Sequence, residues 1–282
     1  MDFVQLTEKQ RQDFDENGYL IVPQAINAQT VALLTESGDQ LMTSFEYEGF
    51  YAHRRHGIVQ EEPFLSLVAN PSTVPLIIQL LGTNIHMTNT ALIYKYPQDE
   101  ILVSERNWHR DVGVHLDLGH DHLPRVGLKI GYCLTDCMES NSGSTLLVEG
   151  SNNLTQPLVI PTEQTDPTEF HEPFLKAGDA FLFESRTYHA PALNFTNSVT
   201  KSVIYGYHYR WIKPDYYLRH YDGQQQPAKD LLTKMDDITR QLLGAFTDTT
   251  GRTAPDGIEW PIREWTETYN IALEQSPQVN KK

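Results

Sequence analysis

Hydrophobic residues in the first part of the chain recur at helical spacing. After Asn27, a residue type that caps helix N-termini well, the pattern predicts a helix that runs to about residue 45. One face of this helix would lie in the core, and it carries Val31, Leu34, Leu41 and Phe45.

Local signals predict two more helices in this region. Thr7 and Gln10 have the spacing of a capping box, and Gly18 suits the left-handed position that follows a helix. Asn70 and Pro71 are favoured at the N-cap and the first position of a helix, which would end at about residue 82.

Beyond residue 84 the pattern changes to short segments in which hydrophobic residues alternate. Leu128, Ile130, Tyr132 and Leu134 would share one face of a strand over 126–134. Further strands are predicted at 19–23, 91–97, 145–148, 180–183 and 203–209. Many short strands in one block predict a mainly β fold with flanking helices (α+β), of the double-stranded β-helix or jelly-roll type.

The same pattern divides one domain of 282 residues into three parts. A helical N-terminal flank covers 1–83, the jelly-roll core covers about 84–211, and a C-terminal extension covers 212–282. A late helix is predicted within the extension, over 230–246.

Composition limits the cellular compartment and the kinds of partner that we expect for this protein. The formal net charge of −15 argues against nucleic acid as a partner, because phosphate binding relies on clustered Lys and Arg. That acidity is compatible with a cationic small substrate. No apolar run approaches the ~20 residues that cross a bilayer, and the N-terminus lacks the features of a signal peptide. Cys133 and Cys137 fit no disulfide framework, so we expect a reduced, cytoplasmic protein.

A His-x-Asp pattern is the first candidate for chemistry. On a strand, His109 and Asp111 would point to the same face, because side chains alternate. With a third ligand from elsewhere they would form the two-histidine, one-carboxylate set of non-haem Fe(II) oxygenases. The alternative is two polar residues on an exposed strand. A rival pair with the same spacing, His115 and Asp117, follows six residues later.

Three further sequence features, taken in their order along the chain, support the interpretation of the His-x-Asp pattern as a metal site. Trp108 precedes the pair, the stretch SGSTLLVEGSN follows at 142–152, and GDAFLF at 178–183 comes shortly before His189. In order and spacing these segments resemble the phytanoyl-CoA dioxygenase family of iron- and 2-oxoglutarate-dependent oxygenases. The resemblance covers about residues 6–211.

The resemblance implies a metal site and a reaction. Fe(II) would be bound by His109, Asp111 and His189, with 2-oxoglutarate and O2 as cosubstrates and ascorbate as a candidate reductant. It implies hydroxylation of an unactivated C–H bond of a small molecule, with release of succinate and CO2, and it leaves desaturation or cyclisation by the same oxidant as alternatives. A specialised metabolite, such as an alkaloid or toxin intermediate, is the substrate class that the resemblance favours. Related halogenases carry a small residue in place of Asp111, so halogenation is not implied.

The resemblance also nominates cosubstrate residues. The family holds the distal carboxylate of 2-oxoglutarate with an arginine about eleven or twelve residues after the distal histidine, where a fork of N–H donors suits a carboxylate. Thr200 and Lys201 stand there in this chain, and we expect Lys201 to be the main cation with Thr200 as a hydroxyl partner. Lys95, Arg106 and Thr145 occupy other family positions near the cosubstrate.

Two polar segments have no assigned role. Residues 51–57, YAHRRHG, are predicted to form a cationic loop that is either solvated or in contact with substrate or cosubstrate. If His109 and Asp111 bind the metal, a loop over the site mouth would carry His115, Asp117, His120 and His122.

Two other function classes stay open. A cupin-like hydrolase or isomerase could use the same three ligands with Zn(II) and no cosubstrate, and a metal-free member of the fold could be a binding protein. In each case the expected partner is a small molecule, with neither nucleic acid nor membrane, and the chain would be a monomer or a homodimer.

Overall fold

The described part of the chain forms six α-helices and eight strands. The computed structural model describes residues 3–99, 106–111, 121, 123–212, 233–244, 260–271 and 273. The helices are α1 (Glu8–Asn17), α2 (Ala28–Thr43), α3 (Glu62–Leu65), α4 (Val74–Leu81), α5 (Asp237–Leu242) and α6 (Trp260–Thr268). The strands are β1 (Tyr19–Val22), β2 (Tyr51–Arg54), β3 (Ile85–Lys95), β4 (Gly127–Cys133), β5 (Thr145–Leu147), β6 (Ala180–Glu184), β7 (His189–Pro191) and β8 (Thr200–Tyr209).

The strands form two facing sheets of a jelly roll. Six strands make an antiparallel sheet in the order β1-β6-β4-β8-β3-β2, and β5 pairs with β7 in the smaller sheet. The predicted fold class is confirmed. The edge strands β1 and β2 come from the segment before residue 84, so the sheet is not confined to the predicted core of 84–211.

The two faces of the large sheet carry different side chains. One face packs against the helices, including α4, all eight residues of which are buried. This face carries Leu128, Ile130, Tyr132, Val203, Tyr205 and Tyr207, none of which is exposed. The opposite face carries Lys129 and Ser202 and lines a cavity. The alternation predicted along β4 is therefore confirmed, and it determines which side chains reach the cavity.

The predicted N-terminal caps of α1 and α2 are confirmed. Thr7 and Gln10 form the capping box, in which the Thr7 hydroxyl accepts from the Gln10 N–H at 3.1 Å. Gly18 has a φ of 81°, the left-handed conformation that glycine adopts without strain. Asn27 caps α2 by accepting from the Thr30 N–H at 2.9 Å.

The third predicted helix, which is α4 in the structure, starts later than predicted. Asn70 accepts from the Ser72 N–H at 2.9 Å, so its side chain stabilises a turn over 70–73 instead of capping a helix. α4 begins after Thr73, whose hydroxyl shares a 2.7 Å hydrogen bond with the Tyr132 hydroxyl. This contact ties the start of α4 to the large sheet.

The predicted cationic loop is partly a strand. Tyr51–Arg54 pair with Leu92–Lys95 as the edge of the large sheet. The segment is short and contains His53 and Arg54, so alternation alone does not mark it as a strand. Its position places Tyr51 and His53 on the cavity wall.

The described part of the C-terminal extension packs against the N-terminal region. The Gln241 amide donates to the Thr83 carbonyl at 3.0 Å, and the Trp265 ring meets the Phe3 ring edge-on at 4.9 Å. Within the predicted helix over 230–246 only Asp237–Leu242, which is α5, is helical, because residues 233–236 and 243–244 lie outside the helix. Residues 230–232 and 245–246 lie outside the described residues. None of the described helices is long and apolar enough to cross a membrane.

Candidate metal centre

A backbone bridge joins the two candidate histidine ligands. The His109 N–H donates to the His189 carbonyl, and the His189 N–H donates to the His109 carbonyl, each at 3.0 Å. The Asp111 N–H donates to the Ser185 carbonyl at 3.0 Å. These bonds fix the segment 106–111 against the turn between β6 and β7, so residues far apart in sequence lie side by side.

The orientation of both imidazoles is set by backbone carbonyls. His109 Nδ1 lies 2.8 Å from the Asn107 carbonyl oxygen, and His189 Nδ1 lies 3.0 Å from the Thr187 carbonyl oxygen. A carbonyl only accepts, so Nδ1 carries the proton in both rings and the Nε2 lone pair is available. Such a contact is typical of histidines that bind metals.

The three side chains converge on one point. His109 Nε2 lies 3.9 Å from Asp111 Oδ1, and His189 Nε2 lies 3.8 Å from the same oxygen. One donor atom from each residue lies within 4.8 Å of the other two. Metal–ligand bonds to nitrogen and oxygen are ~2.0–2.2 Å, so one ion can be shared after a small closure of the set.

One oxygen of the Asp111 carboxylate has a cationic partner, and the other is buried without a hydrogen-bond partner among the described residues. Lys129 Nζ lies 2.6 Å from Oδ1, while Oδ2 is buried and accepts no hydrogen bond from the described residues. A carboxylate with a buried oxygen that lacks a partner among the described residues, beside two imidazoles, fits a divalent metal.

Charge and burial hold these groups in the protonation states that metal binding requires. Burial alone would raise the pKa of Asp111, but Lys129 and His189 together hold it well below its usual range. Burial lowers the pKa of His189 to about 3, against the opposing effect of Asp111. At neutral pH the site therefore presents a carboxylate and a neutral imidazole.

Sequence reasoning did not single out Lys129. A signal was available, because Lys129 is the one charged residue in β4 and glycines flank it two residues away on the same face. A Cβ on Gly127 would lie 2.2 Å from the His208 ring, and one on Gly131 would lie 2.2 Å from the Phe181 ring. The two glycines therefore allow these rings to approach β4 on either side of the lysine.

The candidate ligands open into a cavity of about 620 Å³ between the two sheets. Its apolar wall near the metal site includes Phe183, whose ring lies 4.7 Å from that of His189, together with Leu193 and Ile204. The polar lining residues of the described chain comprise Tyr51, His53, Arg55, Asn89, Thr90, Lys95, Arg106, Asn107, Arg110, Lys129, Thr145, Ser202 and His208.

Lys95 is the buried cation at one end of the cavity. Its Nζ donates to the carbonyls of Gly143 and Ser144 at 2.7 and 2.6 Å, and it lies 5.9 Å from the centre of the Tyr51 ring. An ammonium has three N–H donors, so one more is available to a ligand. Burial lowers the pKa of Lys95 to about 8.

Lys201 does not reach this cavity. It follows the strand alternation onto the helix-facing side of β8, where its Nζ contacts Asp39 at 2.6 Å and lies over the Tyr94 ring. This placement contradicts the expectation that Lys201 binds the cosubstrate. Thr200 is on the cavity side but is buried behind Gly143, with its hydroxyl donating to the Ser142 carbonyl.

The other nominated cosubstrate residues line the cavity. Arg106 Nε lies 2.9 Å from an oxygen of Asp166, and its Nη2 donates to the Asn141 side chain at 3.2 Å. Its Nη1 is buried without a hydrogen-bond partner among the described residues. Thr145 lies at the start of β5, opposite Pro191.

The rival ligand pair lies in a segment outside the described residues. His115, Asp117, His120 and His122 lie outside the described residues. Within the described chain, His109, Asp111 and His189 form the metal-ligand cluster.

Several solved structures have a similar fold. HygX from Streptomyces hygroscopicus, crystallised with nickel and 2-oxoglutarate, has a TM-score of 0.63 at 16% identity, over 74% of this chain and 90% of HygX. SnoN, a non-haem α-ketoglutarate-dependent epimerase from nogalamycin biosynthesis, has a TM-score of 0.56 at 18% identity, over 71% and 82%. The carbocyclase SnoK from the same biosynthesis has a TM-score of 0.54 at 16% identity, over 82% and 91%.

The family assignment comes from the sequence itself. No curated protein matches the chain. A profile of the phytanoyl-CoA dioxygenase (PhyH) family matches residues 14–202, about two thirds of the chain, and this match includes all three candidate metal ligands. The chain belongs to the phytanoyl-CoA dioxygenase family.

Proposed function

We propose that this protein is an Fe(II)- and 2-oxoglutarate-dependent oxygenase that hydroxylates an unactivated C–H bond of a small molecule. The observation that carries the proposal is the convergence of His109, Asp111 and His189 on the wall of the cavity between the two sheets. Two histidines and one carboxylate are the donor set that leaves adjacent positions open on Fe(II). The family and the fold support the same chemistry.

The proposed reaction is balanced by its cosubstrates. When bound, Fe(II) with 2-oxoglutarate and O2 supplies the oxidising power: 2-oxoglutarate takes one oxygen atom and becomes succinate and CO2, and the other oxygen atom enters the substrate as a hydroxyl group. Asp111 supports hydroxylation over halogenation, because its carboxylate occupies the ligand position that a halide would need.

The residues of this chain position and shield the reacting groups. The carbonyls of Asn107 and Thr187 hold both imidazoles with Nε2 toward the metal position. Lys129 holds one oxygen of Asp111 and thereby orients the carboxylate. Apolar side chains on the wall, including Phe183 and Ile204, exclude water from the reacting carbon.

Lys95 is the proposed partner of the distal carboxylate of 2-oxoglutarate. Its Cα pairs with that of Thr200 across β3 and β8, so its ammonium lies where the arginine of relatives would reach. Two backbone carbonyls already fix the ammonium, and a third donor remains for the carboxylate. Arg106 and Thr145 line the same cavity and are secondary candidates.

The substrate class follows from analogy with proteins of similar fold. HygX has been crystallised with hygromycin B bound, and SnoN with nogalamycin RO. We propose a specialised metabolite for this chain as well. SnoN and SnoK are described as an epimerase and a carbocyclase, so the outcome of C–H activation has to be tested directly.

The test is a succinate-release screen over candidate metabolites with Fe(II), 2-oxoglutarate, ascorbate and isotopically labelled O2. Hydroxylation predicts one labelled oxygen atom in the product for each succinate. A product isomeric with the substrate indicates epimerisation, and one that lacks two hydrogens indicates cyclisation or desaturation. Turnover with Zn(II) and no 2-oxoglutarate would replace the proposal with a hydrolase or isomerase.

Ligand variants test the metal assignment independently of turnover. His109→Ala and His189→Ala are expected to lose stoichiometric Fe(II) binding in equilibrium dialysis, because two remaining ligands hold the ion weakly. His171→Ala is the control, since His171 stacks on Tyr19 outside the cluster. Loss of Fe(II) from His115→Ala, with retention in His109→Ala, would move the site to the rival pair.

A further inference from the structure

Two uncharged polar side chains, Asn89 and His208, line the end of the cavity remote from Lys95. We propose that they bind two neighbouring hydroxyl groups of the substrate and thereby determine its specificity. The inference rests on the proposed function, because it concerns the substrate of the same cavity.

Strand register places this pair of residues beside the candidate metal site. Asn89 lies in one row of the large sheet with Gly206 and Lys129, the lysine that holds the candidate carboxylate ligand. Lys95 is six residues from Asn89 along β3. At ~3.3 Å per residue, this separation is roughly 20 Å. The proposed partner of 2-oxoglutarate and the proposed substrate contacts therefore lie at opposite ends of the cavity.

Two glycines make room for both side chains on the cavity face of the sheet. A Cβ on Gly206 would lie 2.2 Å from Asn89 Oδ1, and a Cβ on Gly127 would lie 2.3 Å from His208 Nε2. The amide and the imidazole therefore lie across the neighbouring strand, with their polar atoms over the glycines. Any larger residue at either glycine position would displace them.

The hydrogen bonding of His208 makes its Nε2 an acceptor. Nδ1 lies 2.6 Å from the Thr88 hydroxyl, which in turn lies 3.3 Å from the Gly206 carbonyl oxygen. The hydroxyl donates to the carbonyl and accepts from Nδ1–H, so the lone pair of the His208 ring is on Nε2. Burial lowers the pKa of His208 to about 4, so the imidazole is neutral at pH 7.

The Asn89 amide is available to a ligand. It forms no hydrogen bond with any of the described residues, although it lies on the cavity wall. An amide offers two N–H donors and a carbonyl acceptor, so it can bind a hydroxyl group in either sense. Together with Nε2 of His208, it can satisfy both the donor and the acceptor functions of an alcohol.

The spacing of the two side chains fits a vicinal diol. Gly206 pairs with Lys129, and Gly127 precedes Lys129 by two residues, so the two glycines are diagonal neighbours. Such positions are roughly 7–8 Å apart. One oxygen atom cannot span this distance with two hydrogen bonds of ~2.8 Å each, whereas two oxygen atoms on adjacent carbons can.

The charged side chains around this end of the cavity already contact protein groups. Lys129 Nζ lies 2.6 Å from an oxygen of Asp111, and Arg55 Nε lies 3.2 Å from His53 Nε2. A charged substrate group would have to compete with these contacts and lose its own hydration. An uncharged group that forms hydrogen bonds is therefore the better fit.

The experiment measures binding of simple diols to protein loaded with Zn(II) and 2-oxoglutarate, which is diamagnetic and does not turn over. The probes are cyclohexane-1,2-diol, cyclohexane-1,4-diol, whose hydroxyls are too far apart, and 1,2-dimethoxycyclohexane, which lacks O–H donors. We expect the 1,2-diol to bind about tenfold more tightly than the other two, a difference of roughly 1.4 kcal/mol. In histidine ¹⁵N NMR it should also shift the Nε2 signal of His208.

Three substitutions test the residues. Asn89→Leu and His208→Phe replace polar atoms by apolar ones of similar size, and each should reduce the affinity for the 1,2-diol to that of the ether. Thr88→Val removes the hydroxyl that sets the His208 tautomer. It should give a mixture of tautomers in the ¹⁵N spectrum and weaken diol binding severalfold.

Asn153→Leu and His171→Phe are the matched controls. The Asn153 amide donates to the Asp15 carbonyl at 3.0 Å, and the His171 ring stacks on Tyr19, both outside the cavity. The preference for the 1,2-diol should survive both changes. Equal binding of the three probes to the unmodified protein, or a preference that survives either cavity substitution, overturns the inference.

The Kd of 2-oxoglutarate in the same samples separates this inference from the proposed function. If the unmodified metal-loaded protein does not bind 2-oxoglutarate, the proposed function fails, and the comparison of the three probes still decides whether a diol is recognised. If the 1,2-diol displaces 2-oxoglutarate, the inferred position is wrong. If a cavity substitution abolishes 2-oxoglutarate binding, Thr88→Val decides, and unchanged diol affinity in that variant overturns the inference.

Discussion

At the scale of single residues, two lysines that are close in the sheet have opposite orientations. Lys95 reaches into the cavity, while Lys201, whose Cα pairs with that of Tyr94, projects from the other face of the sheet. Their different surroundings allow a matched comparison of a buried cation inside the cavity with a partly buried one outside it.

Lys95→Met is expected to weaken 2-oxoglutarate binding by about ten- to a hundredfold. A charge-assisted hydrogen bond contributes ~1.5–3 kcal/mol, and about 1.4 kcal/mol is a factor of ten. The measurement is the Kd of 2-oxoglutarate for Ni(II)-loaded protein. Lys201→Met removes the same charge and should leave that Kd unchanged. If Lys201→Met weakens 2-oxoglutarate binding and Lys95→Met does not, Lys201 is the residue that binds the distal carboxylate.

The low pKa of Lys95 predicts a pH dependence for the same Kd. With a pKa of about 8, Lys95 is charged at pH 7 and loses its proton as the pH rises through 8. The Kd should therefore be flat below pH 7.5 and increase by up to tenfold per unit above about 8.5, since binding must then take up a proton. Lys95→Arg should give a flat profile, because a guanidinium stays charged.

At the scale of elements, the end of β6 carries a buried ion network beside the candidate metal site. Glu184 is fully buried and pairs with Arg125 at 3.1 Å and with Arg186. Ser185 follows directly, and its carbonyl accepts from the Asp111 N–H. The network therefore holds the turn on which the ligand segment is anchored.

Glu184→Gln is expected to lower the free energy of unfolding by about 3–5 kcal/mol, because it leaves two arginines facing a neutral buried group. Urea unfolding measures the change. The exposed pair of Lys9 and Asp13 is the control, and Asp13→Asn should cost less than about 1 kcal/mol. Equal effects of the two substitutions would show that Glu184 is solvated.

Helices and strands whose hydrophobic residues recur at regular spacing could be predicted from the sequence. The packing of side chains from different elements against one another could not. The alternation along β4 and the caps of α1 and α2 depend on neighbouring residues, and the structure agrees with them. Lys201 was assigned by counting from His189, although strand alternation sends it to the other face. β2 is as short as β1, but it contains His53 and Arg54 where β1 is apolar throughout, so its sequence favours a polar loop.

The candidate site needed information beyond local pattern. The backbone bridge between His109 and His189 spans 80 residues of sequence, and no periodicity indicates such a contact. The family resemblance supplied the pairing. The role of Lys129 depends on the register of β4 against β6 and β8, which became visible only in the folded chain.

At the scale of the whole molecule, ligands of the cavity should stabilise the fold. A ligand that binds only the native state adds about 2.7 kcal/mol at a concentration of 100 Kd. Ni(II) with 2-oxoglutarate should therefore raise the Tm by several degrees in a thermal melt. The shift should vanish after chelation by EDTA and be small in His189→Ala. An equal shift in that variant would indicate metal binding elsewhere.

The large sheet has an edge at β2, and this edge is also a wall of the cavity. Within the part of the chain that the structure describes, Tyr51–Arg54 pair only with β3, whereas β4 and β8 are paired on both sides. Edge strands separate at lower free energy than central ones, so transient fraying of β2 would open the cavity without unfolding the rest. Amide exchange in a peptide covering 50–57 should then be faster than in β4. It should slow when Ni(II) and 2-oxoglutarate are bound, because a ligand beside Tyr51 and His53 would hold this strand in place.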